Sequence, residues 1–184
     1  MRAILVPVLF LSFGVMQLFA EQKQIDSERS TLTIHVGKSG LFSAAGHEHT
    51  VRAPIAEGTI DDGSNAKIGF RVEAARLTVL PEEHQSEIQH TMQERVLESG
   101  RFPEIRFVSD KVESTGDRKW DVSGRLTLHG ETRAVQVRVQ FVDGNYAGSA
   151  TIKQTDFGIE PVSAAGGTVK VKNELTIDFA ITTK

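Results

Sequence analysis

The chain has 184 residues, 39% of them hydrophobic, 24% charged and 7% aromatic, with a formal net charge of −3. That composition excludes global disorder and fibrous architecture and favours one domain with room for a core. The 21 basic residues form no Lys/Arg block, which argues against a nucleic-acid partner, and the absence of cysteine excludes thiolate metal centres, thiol redox chemistry, disulfide scaffolds and a lipidated-cysteine anchor.

Residues 1–20 have the layout of a secretory signal peptide. Arg2 gives a positive start, Ala3 to Phe13 is almost wholly apolar, and Val15 to Phe19 leads to the small Ala20 before polar Glu21-Gln22-Lys23. This predicts cleavage after Ala20 and a mature domain over residues 21–184, periplasmic or secreted. The competing reading is an uncleaved anchor, but Ser12, Gly14 and Gln17 interrupt a run already marginal against the roughly 20 apolar residues of a spanning helix.

Most of the remaining chain alternates with period two, the signature of half-buried antiparallel strands. Leu32, Ile34 and Val36 share one face, with Thr31, Thr33 and His35 on the other. Further strands are predicted over 55–60, 67–79, 104–113, 120–129, 135–141, 146–153, 168–172 and 175–182. Leu77 and Val79 break the phase set by Ile68, Phe70 and Val72, which predicts a bulge near Ala75. Turns fall at Asp61-Asp62-Gly63-Ser64, Thr115-Gly116-Asp117, His129-Gly130 and Asp143-Gly144, where glycine supplies the positive φ of tight hairpins. One segment changes period: Pro81-Glu82-Glu83 opens it, Ile88, Met92 and Val96 follow at spacing four, and Ser99-Gly100 ends it. It reads as an amphipathic helix over 82–98. The fold class is therefore all-β, a single antiparallel barrel with one inserted helix.

His47-Glu48-His49 is the compact cluster with chemical potential. Residues at i and i+2 of a strand share a face, so both imidazoles could converge on one metal, completed by Glu48, His35, Glu57, His129 or water. The spacing is not that of a zinc protease, and the competing reading is a polar loop. No serine sits in a nucleophile frame, and the helix dipole explains Glu82-Glu83, so neither an enzyme nor a cofactor is expected.

Strict alternation points Val122, Gly124, Leu126 and Leu128 together, and likewise Tyr146, Gly148, Ala150 and Ile152. Small residues on an inner barrel face either leave a cavity or receive bulky partners such as Phe70, Phe107 or Trp120. Both readings stand at this point.

The run Ser99-Gly100-Arg101-Phe102-Pro103, the segment Gly124-Arg125-Leu126-Thr127-Leu128-His129-Gly130-Glu131-Thr132, the step Asp156-Phe157-Gly158 and the closing Val171 to Ile177 resemble, in order, the motifs of the YceI-like, polyisoprenoid-binding family. The likeness spans roughly Ile25 to Thr182. It implies a lipocalin-like barrel whose apolar pore holds an isoprenoid lipid or quinone, in an exported non-enzymatic protein without an obligatory metal or cofactor. Transient membrane contact and a homo-oligomer are compatible with it. Alternation and resemblance together nominate Phe70, Phe107, Trp120 and Leu126 as pore residues in the first half of the barrel. Phe141, Tyr146, Phe157 and Phe179 follow in the second half, with Arg71 or Arg106 near a head group. The alternatives are a structural or stress-related envelope protein with a filled barrel, or a metal-binding protein using His47 and His49. Departures from the family pattern are the short 99–103 junction, with Phe102 its one aromatic before Pro103, and Ala45-Gly46-His47-Glu48-His49 where many members carry glycine and an aromatic.

Overall fold

The alternating runs fold as strands, and the computed structural model describes them over residues 22–39, 48–63, 65–164 and 169–184. In chain order they are β1 (Gln22–Gln24), β2 (Thr31–Ser39), β3 (His49–Arg52), β4 (Ile55–Asp61), β5 (Lys67–Glu73) and β6 (Thr78–Val79), then the helix α1 (Gln85–Thr91). After it come β7 (Glu104–Gly116), β8 (Lys119–Leu128), β9 (Glu131–Val142), β10 (Asn145–Lys153), β11 (Ser163–Ala164) and β12 (Val169–Ile181). The hydrogen-bonded order is β1-β4-β5-β7-β8-β9-β10-β12-β2-β3-β6, with β11 beside β12. Every pairing is antiparallel.

Curling this sheet depends on one bend. β3 and β4 are one stretch of chain cut at Ala53-Pro54, where proline removes a ladder donor. β3 pairs with β2, β4 pairs with β5, and the Ala53 N–H still donates to the Leu32 carbonyl at 3.0 Å. The sheet thus returns on itself as an up-and-down barrel of the expected all-β class. At one end a second seam reinforces it: Ile25 bridges Thr183, and the Lys184 N–H donates to the Gln24 carbonyl at 2.9 Å.

Two hairpin turns place both central residues in the left-handed region, His129 (φ 51°) with Gly130 (φ 78°) and Asp143 (φ 50°) with Gly144 (φ 80°). The expected turn at Thr115-Gly116-Asp117 lies slightly later, on Asp117-Arg118, and Arg118 itself takes φ 56° while Gly116 ends β7. The expected bulge near Ala75 is instead a 3₁₀ turn, Ala74–Arg76, where the chain leaves the barrel wall. It returns as β6 beside β3, with Val79 opposite Val51. Residues expected as two strands near the C-terminus form one, β12, with a register shift between Val171 and Leu175. The expected helix is α1 continued by a π-turn, Met92–Val96, where the Leu97 N–H donates to the Met92 carbonyl.

Candidate functional site

The barrel interior is a cavity of about 460 Å³ with almost wholly apolar walls. Parity builds those walls: Leu32, Ile34 and Val36 from β2, Val135, Val137 and Val139 from β9, and Leu175, Ile177 and Phe179 from β12 point inward. One end is covered by the helical segment, whose Ile88, Met92 and Val96 present their spacing-four stripe to the cavity. The inward glycines show that both readings of the small residues hold. A Cβ on Gly124 would lie 2.7 Å from the Phe107 ring, and one on Gly148 would lie 2.6 Å from the Phe179 ring. These two positions are notches that let the rings lie back, while Ala150 lines open space.

Polar groups gather at the two ends. At the helix end the cavity meets His49, Glu87, Thr91 and Gln154. His49 Nδ1 lies 2.9 Å from Glu82 Oε2, and Gln154 Nε2 donates to the Lys172 carbonyl at 2.8 Å. At the opposite end the Tyr146 hydroxyl donates to Asp62 Oδ2 at 2.9 Å, and Lys23 Nζ donates to the same carboxylate at 2.7 Å. Burial, then the hydrogen bond and charge of Asp62, push the Tyr146 phenol up to about 12. The Lys23 hydrogen bond, with a smaller share from Tyr146, holds Asp62 below its ordinary value against the opposing effect of burial.

Phe70, Phe107, Leu126, Tyr146 and Phe179 line the cavity. Trp120 lies beyond Tyr146, their rings 5.9 Å apart, and borders a separate space of about 20 Å³. Phe141 meets Tyr146 edge-on at 4.8 Å, with the Arg118 guanidinium 5.0 Å from the centre of the Phe141 ring, and Phe157 is buried in a 3₁₀ turn; neither borders the cavity. Arg71 and Arg106 are opposite one another in register on the outer face, where Arg71 pairs with Glu57 at 2.9 Å. Neither reaches the cavity lining, because inward Phe70 and Val72 flank Arg71. What sequence reasoning left out of the site is the helix face, although an apolar stripe at spacing four has to be covered by something.

His47 lies outside the described residues. Val36 stands opposite His49, which turns His49 inward, whereas His35 stands opposite Thr50 on the outer face, 3.0 Å from Asp178. His129 Nε2 lies 2.9 Å from Glu98 and its Nδ1 3.3 Å from the Phe157 carbonyl, while Glu57 is held by Arg71. The described candidates His49, His35, His129 and Glu57 are each held by a different partner, and among the described residues no group of three or more His, Asp or Glu is placed to hold a metal.

The sequence and the fold both have counterparts. A UPF0312 protein of Pseudomonas putida (strain W619) is 32% identical over 124 residues, 59% of this chain and 65% of that protein. One from Pseudomonas savastanoi is 30% identical over 105 residues, and the chain spans about half the length of that relative, 53%. Among solved structures, Burkholderia cenocepacia BcnA superposes with a TM-score of 0.63 at 16% identity, covering 85% of this chain and 98% of that one. A polyisoprenoid binding domain from Saccharophagus degradans gives 0.62 at 15% identity, covering 86% and 95%. At these identities the structures speak to the fold alone. The sequence match extends further: residues 24–183, nearly the whole barrel from its first seam to its last, fit the model of the YceI-like domain, and the chain belongs to that family.

Proposed function

We propose that this protein is an exported binding protein that carries or sequesters an isoprenoid lipid or quinone, with the apolar tail in the barrel and the head group at the helix end. The observation that carries this reading is the cavity itself. Its volume falls within the about 300–1,000 Å³ of pockets that enclose small molecules, and its walls offer a tail little besides hydrocarbon. Each buried CH₂ contributes about 0.8 kcal/mol, so affinity can come from tail length without directional contacts. The Saccharophagus degradans neighbour, described as a polyisoprenoid binding domain, supports the same ligand class. A binding role is supported by the scarcity of polar groups on the cavity walls. Export rests on the leader-like residues 1–20, and a carrier of this kind meets a membrane transiently to load and unload.

The test is mass spectrometry of solvent extracts from natively purified protein, followed by addition of prenyl lipids to the extracted protein. Recovery or uptake of a prenyl lipid or quinone is the expected result. An interior that stays empty in both experiments removes the reading.

A further inference from the structure

The end of the barrel remote from α1 is shut by a polar latch. Tyr146 is the chain's one tyrosine, and its ring borders both the large cavity and the water-sized space of about 20 Å³ behind it. Ile60, Ile68, Val122 and Val139 also border both spaces, so these five residues form the partition between them. Beyond the partition the lining turns partly polar, with Asp61 and Asp62 beside Trp120.

Four of the five partition residues are aliphatic and hold their place by packing. Tyr146 is tied from behind as well, since its hydroxyl donates to Asp62 and Asp62 accepts from Lys23. Phe141 and Trp120 press on the ring from two sides, at 4.8 and 5.9 Å. Swinging the ring away from the cavity would break the hydroxyl's bond to Asp62 and lift the ring of a residue that is only 7% exposed off its packing with Phe141 and Trp120. The ring is therefore a fixed floor.

We propose that Tyr146, latched by Asp62 and Lys23, sets the maximum tail length this protein accepts. The inference rests on the lipid-binding reading above and adds the residue that makes it selective. A linear tail enters from the helix end, and its terminal unit stops against the phenol ring. Units beyond that depth remain outside the cavity and add nothing to affinity. A phenol ring and one isoprene unit are of similar size, so removing the ring makes room for about one more unit.

The experiment is calorimetric titration of the full-length protein, after solvent extraction, with a series of all-trans prenyl alcohols that differ by one isoprene unit. For wild type, affinity should rise at least tenfold with each added unit up to a limit and then level off. Tyr146→Ala should move that limit outward by one unit. Asp62→Ala keeps the ring and frees the latch, so the first alcohol beyond the wild-type limit should gain several-fold; this variant serves if Tyr146→Ala does not fold. An unchanged limit in the variants, with wild type binding normally, overturns the floor and leaves the lipid-binding reading standing. No binding of any alcohol by wild type overturns the lipid-binding reading itself.

Discussion

Tyr146 and Asp62 displace one another's protonation in opposite senses, and the signs fix where pH acts. The phenol, raised from 10.0 to about 12, gives the fold stability that is complete below pH 10 and lost as pH climbs towards 12. Asp62, held below 3.8, gives stability that is complete above that value and lost as pH falls beneath it. With one tyrosine in the chain, the phenolate absorbance of the native protein reports this site alone. Its midpoint should lie near 12 in wild type and move back towards 10.0 in Asp62→Asn, which removes the carboxylate charge. A midpoint unchanged by that substitution would show that Asp62 does not act on the phenol. Gly148 makes a steric prediction: Gly148→Ala forces a Cβ against both the Arg138 carbonyl and the Phe179 ring, which should cost about 1–3 kcal/mol in chemical denaturation. Which residues face inward was legible from alternation, because period two converts directly into a face. Height along the barrel was not: Trp120 and Phe141 have inward parity yet lie past the Tyr146 floor. Phe157 escaped for another reason, since it sits in a 3₁₀ turn where period two has no meaning.

The helical segment is fastened by a stripe of amides. Gln85, Gln89 and Gln93 recur every four residues and face the backbone of β6 and the turn before it. Gln85 Nε2 donates to the Val79 carbonyl at 2.7 Å. Gln89 accepts from the Val79 N–H at 2.8 Å and donates to the Leu77 carbonyl at 2.9 Å, and Gln93 donates to Ala74 and Leu77, both at 3.1 Å. β6 pairs with β3 on one side, and these side chains cover its other edge as a further strand would. Gln89→Ala strands the Val79 N–H, while the Leu77 carbonyl keeps Gln93, so stability should fall by about 1–3 kcal/mol and the Val79 amide should exchange faster with deuterium. Unaltered exchange at Val79 would mean that β6 does not depend on the amide. The helix itself was legible from Ile88, Met92 and Val96. Its glutamines were not, because their partners belong to a strand the sequence merged into the longer 67–79 run. The family-like signature has a comparable role, tying distant segments together. The Phe102 ring packs on His129 at 4.2 Å, His129 reaches Glu98 and the Phe157 carbonyl, and Thr127 and Thr132 share a 2.8 Å hydrogen bond across the hairpin. The helix end, the 99–103 junction and the Asp156-Phe157-Gly158 step thus meet at one place.

For the molecule as a whole, the open interior is the property on which function turns, and it lies between Ala150 in mid-wall and rings recessed over glycines. Ala150→Phe should fill that space and lower prenyl-lipid affinity at least tenfold, while the strand pairing on either side of Ala150 is kept. Circular dichroism and calorimetry on the same preparation check this: a native-like spectrum with undiminished affinity would place the ligand elsewhere. The barrel class, the helix and the inner faces were all legible because each follows from a local period. The Ile25–Thr183 seam was not, since it brings together residues far apart in sequence, and the Pro54 bend was not, since its effect lies in sending β3 and β4 to different partner strands.

The pairing of Trp120 with Tyr146 has an optical consequence. They are the single tryptophan and the single tyrosine of the chain, and their rings lie 5.9 Å apart at the blind end of the barrel. At such a separation, light absorbed by the phenol passes to the indole and emerges as one emission band. That band arises only a ring's width from where a tail would end. Filling, emptying or deprotonation at this end should each register in it, so an unlabelled and unmodified protein carries its own real-time gauge of occupancy.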